Sequence, residues 1–67
     1  MSAYVRNITI TEALGMGLPD VAADMAHEAA AYGLLTQEPA RLVAEDPGCP
    51  AWYVTWWRSW AASRAKP

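Results

Sequence analysis

His27 and Glu28 are the only adjacent pair in this 67-residue chain whose types hint at catalysis or metal binding. A zinc-protease helix needs a second histidine four residues after the first, and that position is Ala31. With one histidine and one cysteine, a zinc site closes only if several carboxylates join them. Cys49 falls between Gly48 and Pro50, in turn-forming sequence, with no second histidine to activate it. Ser2, Ser59 and Ser63 have no recognisable base beside them. The residues thus argue against an enzyme and imply no metal and no cofactor. His27 reads simply as a partly exposed helix residue.

Two other groups suit binding rather than chemistry. Asp20, Asp24 and Glu28 recur at helical spacing and form an acidic face, with Glu12 a further contributor. Such a face is ordinarily just solvated, but it also suits docking on a basic surface. The second group is Trp56, Trp57, Arg58, Trp60 and Arg64, mixing the residue types enriched at interface hot spots. The tryptophans also have a plainer use as core. The chain has four Trp, three Tyr and no Phe, and a short chain needs large apolar side chains to fold. As a nucleic-acid surface, Trp60 with Arg58, Arg64 and Lys66 would stack bases and contact phosphates, but three cations supply little phosphate neutralisation.

These residues need elements to position them. Val5–Ile10 is β-branched and partly alternating, the pattern of a short strand. Thr11 follows as an N-cap for one or two helical turns to Met16, limited by Gly15 and Gly17. The clearest element runs from Pro19 to Gly33. Proline suits the first helical position, Asp20 complements the positive end of the dipole, and Gly33 suits a Schellman stop followed by Leu34. Val21, Met25, Ala29 and Tyr32 share one side of it, flanked by alanines that allow close approach.

Beyond Leu35 two readings stand. Either Thr36 caps a helix to about Glu45, with Pro39 at its third position, or Arg41–Glu45 is a strand. Asp46-Pro47-Gly48 is a turn in both, with glycine free to take positive φ. Trp52–Trp57 is wholly aromatic or β-branched and has the profile of a strand, which favours a hairpin. The rival is a helix from Pro50 to Ala65 that aligns Trp52, Trp56 and Trp60 at i, i+4, i+8. From Arg58 onward the residues are good helix formers under both readings.

The order of a short strand, a short helix, Gly-Leu-Pro, a longer helix ending Tyr-Gly-Leu-Leu-Thr and a hairpin resembles the winged-helix family. The resemblance covers residues 8–57 and carries over Ile8–Pro19 and Asp20–Thr36. It implies an α+β fold, a small winged-helix-like domain with a β-hairpin wing at 41–57. The C-terminal helix would take the place of the missing first helix, as in minimal excisionases. An all-α bundle of three or four helices is the alternative. The resemblance also makes Pro19–Gly33 the recognition helix, yet that helix presents Asp20, Asp24 and Glu28 and carries neither Arg nor Lys. DNA phosphates would repel it.

The length suits a single small domain spanning residues 1–67. One cysteine excludes an intrachain disulfide. No secretory h-region and no membrane-spanning run is visible, so a cytoplasmic protein with no membrane partner is expected. Residues 1–46 hold all seven acids against two arginines, and residues 47–67 hold three bases and no acid. That asymmetry favours attraction between the two ends. Abundant Ala and Arg fit a GC-rich bacterial or phage genome. The expectation is a small acidic, non-enzymatic phage-type or mobile-element protein that docks on a protein or nucleoprotein partner, an anti-CRISPR-like inhibitor being one form. The alternatives are a winged-helix DNA regulator using its wing and basic tail, and a homo-oligomer, with a homodimer as its simplest form.

Overall fold

The computed structural model describes residues 8–65, and among them it holds four helices and no strand. They are α1 (Ile10–Gly15), α2 (Pro19–Ala31), α3 (Gln37–Glu45) and α4 (Ala51–Ala65). The fold is all-α, which overturns the expected α+β arrangement with its hairpin wing.

Helix α1 starts at a reciprocal cap. The Glu12 N–H donates to Thr9 Oγ1 at 3.1 Å, and the Thr9 N–H donates to Glu12 Oε1 at 2.7 Å. Two otherwise orphaned amides are satisfied in this way. The cap is therefore Thr9 rather than the expected Thr11, whose hydroxyl lies 3.1 Å from that of Thr9. The first half of the expected strand Val5–Ile10 lies outside the described residues; Ile8 and Thr9 form no ladder, and Ile10 is already helical.

Helix α2 forms as its sequence predicts. Pro19 occupies the first turn, and the helix ends at Ala31 with Tyr32 as C-cap. The Leu34 N–H donates to the Ala29 carbonyl at 2.8 Å, and the Gly33 N–H donates to that of Ala30 at 3.0 Å. That pair of bonds is the Schellman stop, and it sets Gly33 at φ 72°, where a Cβ would be strained. The same pair of bonds closes α1 through Gly17 and Leu18. Tyr32, expected on the apolar side, is instead 69% exposed because it lies past the last helical turn.

Helix α3 is the first of the two readings for its segment, with Thr36 at the N-cap position and Pro39 in the first turn. The link to α4 is the expected turn: the Gly48 N–H donates to Asp46 Oδ1 at 2.8 Å and the Cys49 N–H to the Asp46 carbonyl at 3.0 Å. Gly48 does not use positive φ, contrary to expectation. Its need is steric, since a Cβ there would sit 2.8 Å from Pro19 Cγ.

The residues read as a second strand are the first half of α4. β-propensity spans only about 1 kcal/mol at a position and yields to tertiary packing, and an isolated two-stranded hairpin is at best marginally stable. The helix instead directs Tyr53 fully into the core. That core draws on every helix: Ala13 from α1; Ala22, Ala23, Met25, Ala26 and Ala29 from α2; Ala40 and Val43 from α3; Tyr53 from α4. Small side chains on α2 allow the backbones to approach closely, so the core is mostly alanine, with Met25, Leu35, Val43 and one large aromatic, Tyr53. The reading of tryptophans as core is corrected here. No Trp is fully buried; Trp56, Trp57 and Trp60 pack half-buried at the edge of the cluster, and Trp52 is 47% exposed.

Candidate functional site

All four tryptophans lie on α4, and helical spacing turns them into a ladder. Trp56 and Trp60 stack with centroids 5.9 Å apart and ring planes 26° apart. Arg64 continues the row, its Cζ 5.0 Å from the Trp60 ring centroid. At the other end His27 of α2 sets its ring edge against Trp52 and Trp56, at 5.6 Å and 5.1 Å. Edge-on and offset packing is the arrangement the ring quadrupoles favour, and a guanidinium over an indole face is attracted by the same field.

Beside the ladder, α3 and α4 leave a half-open groove of about 410 Å³ lined by Gln37, Glu38, Arg41, Trp57, Trp60 and Ala61. Its volume and aromatic lining fall in the range of sites that take another molecule's side chains. Trp60 is in contact with both Trp56 and Arg64, whereas Trp57, packed against the core, makes no ring contact with another aromatic or cation among the described residues. Arg41 on the rim is held by Glu45, with its Nη1 3.2 Å from both carboxylate oxygens. Among the described residues no indole N–H donates a hydrogen bond to the protein. A half-buried indole normally finds such a partner or keeps its polar edge in water for one.

The expected acidic face divides. Asp20 and Asp24 are exposed on α2, but Glu28 is half-buried, and its Oε1 is enclosed without a hydrogen-bond partner. Among the described residues the expected attraction between the acidic and basic ends makes no ion pair. Arg58 and Arg64 are exposed, and Arg41–Glu45 is the only ion pair among the described residues. The aromatic and basic group is gathered on one helix, with Trp57 and Trp60 facing the groove and Arg58 on the open side.

No reactive constellation forms around the remaining chemistry. Cys49 is half-buried, and its thiol is pushed up in pKa by burial first and by Asp46 and Asp20 second. A thiol so placed is a weaker nucleophile at neutral pH. Among the described residues no group of three or more His, Cys, Asp or Glu side chains is placed to hold a metal ion. None of the described helices is long and apolar enough to cross a membrane.

Reasoning from sequence missed Tyr53. Its signal was its register with Trp56 and Trp57, which only a helical reading of the segment exposes. Comparison with protein-family models, with curated proteins and with solved structures finds no match for this chain.

Proposed function

We propose that this chain is a non-enzymatic docking module that binds another protein through the tryptophan-bearing side of α4 and the groove beside it. The observation that carries this reading is that a chain with an alanine core keeps all four of its largest side chains partly in solvent. Burying even one tryptophan would stabilise so small a fold by several kcal/mol, about 3–5 by the cost of truncating such a residue. Four partly exposed indoles whose N–H groups find no partner among the described residues are the composition of an interface centre. Inhibition of a larger phage-defence or nucleic-acid enzyme is one role such a module could fill.

Binding to DNA has less support. The wing that would carry it is helical, α2 is acidic, and Arg58 and Arg64 alone offer a small counterion-release term. The discriminating experiment places a photoreactive residue at Gln37, on the groove rim, and irradiates the protein in its native cells. A discrete protein adduct that disappears with Trp57→Ala is the expected result. An adduct unchanged by Trp57→Ala, or a strongly salt-dependent mobility shift of duplex DNA, would sink the reading.

A further inference from the structure

The groove between α3 and α4 has two unlike walls. Trp57, Trp60 and Ala61 stand half-buried on the α4 side, and Gln37, Glu38 and Arg41 stand exposed on the α3 side. The two charges in this lining are held differently. Arg41 is tied to Glu45, with its Nη1 3.2 Å from both carboxylate oxygens. Glu38 has no hydrogen-bond or ionic partner among the described residues, so it is the uncompensated charge of the lining. Glu12, Asp20 and Asp24 are exposed too, but none of them lines this groove. The aromatic wall is uneven in the same way. Trp60 already carries a cation of this chain, the Arg64 guanidinium, and Trp57 carries none among the described residues.

We infer that the groove takes an arginine side chain of a partner protein, its stem and guanidinium plane laid on Trp57 and its N–H groups directed to the Glu38 carboxylate. An indole face attracts a cation through its quadrupole, and the planar, weakly hydrated guanidinium stacks on it while keeping a fork of donors for a carboxylate. Its apolar stem suits the α4 wall and its charged head the α3 wall. Other side chains fit less well. An apolar one would strip water from Glu38 and return no hydrogen bond. An acidic one would meet like charge. Glu38 also lies in the first turn of α3, where an acid complements the helix dipole, but that role is indifferent to whatever enters the groove. This inference rests on the docking role proposed for the groove and names the chemistry of the partner, a segment with an exposed arginine.

The blocked peptide acetyl-Leu-Arg-Leu-amide tests it, titrated into isotope-labelled protein over the roughly millimolar range that one side-chain contact can reach. The readout is the indole N–H resonance of Trp57, identified by its loss in Trp57→Phe. The same peptide with citrulline in place of arginine keeps the shape and removes the charge. A saturable shift at Trp57 is expected with the arginine peptide, and binding about fivefold or more weaker with citrulline. Glu38→Gln, an exposed position whose variant is checked for helix content by circular dichroism, is expected to lose a similar factor. Asp24→Asn removes an exposed acid outside the groove and is expected to bind as the wild type does. Equal binding of the two peptides overturns the inference, as does the absence of a saturable shift at Trp57. So does a Glu38→Gln variant that binds undiminished, or an Asp24→Asn variant that loses as much, since the attraction would then belong to the acidic chain at large. A Gln37 photoadduct that Trp57→Ala abolishes and Glu38→Gln leaves intact rejects the arginine and leaves the docking role standing.

Discussion

The phenol of Tyr53 donates a hydrogen bond to the Ala40 carbonyl at 2.8 Å, and both residues are wholly removed from solvent. That single contact ties α4 to α3 across thirteen residues and fills the space that the alanines leave. Tyr53→Phe keeps the ring and removes the donor, so it should cost about 0.5–1.5 kcal/mol. Tyr53→Ala leaves a cavity and should cost about 3–5 kcal/mol, as much as a domain this small can spare. Urea denaturation followed by circular dichroism separates the two. Equal stability of Tyr53→Phe and Tyr53→Ala would mean that Tyr53 is not the core residue described.

The same burial raises the pKa of Tyr53, with Cys49 adding a smaller effect. Its folded pKa lies above its unfolded one. The stability it contributes is therefore complete below about pH 10, the ordinary tyrosine range, and is lost as pH rises beyond it. Alkaline unfolding should begin there, with the Tyr53 phenolate absorbance and the loss of helix rising together. In Tyr53→Phe the onset should move to higher pH relative to that variant's own neutral stability.

Cys49 should react slowly with a disulfide reagent at neutral pH, because burial and then Asp46 and Asp20 hold its thiol protonated. Asp20→Asn removes one of those charges without touching the turn at Asp46. It should quicken the reaction modestly, while urea, which removes the burial, should quicken it far more. A native rate equal to that in urea would contradict this placement of the thiol.

The caps give a local test. Thr9→Ala breaks the reciprocal cap of α1 and should cost about 1 kcal/mol. Thr11→Ala, which loses only a hydroxyl contact to Thr9, should cost far less. Thermal melts of the two variants decide which threonine is the cap.

Gly33→Ala should destabilise by about 1–2 kcal/mol, since alanine pays for the left-handed conformation that glycine takes freely. Gly15→Ala, within α1, where a Cβ meets nothing within 4 Å, should be neutral or mildly stabilising by comparison. The pair is read from urea midpoints.

Helix α2 was fully legible in the sequence, because Pro19, the alanine pattern and Gly33 are local signals that agree with one another. The turn at Asp46–Gly48 was legible for the same reason. Residues 52–57 were not, since their side chains suit a strand and a helix alike. The decision there lay in whether the chain could bury Tyr53 against Ala40, a contact between residues far apart in sequence. The α+β fold with a hairpin wing that was expected for that segment fell with it.

What the sequence determined by itself was the supply of side chains: alanines for close packing, four tryptophans, and acids ahead of bases. The tertiary structure alone decided their use. It gave the core to Tyr53 and left the tryptophans at the surface, because alanine-lined helices approach too closely to enclose an indole. It also made no ion pair between Asp20 or Asp24 and Arg58 or Arg64, because the helix that carries the bases is held in place by the buried Tyr53 ring and its hydrogen bond to Ala40 rather than by charge.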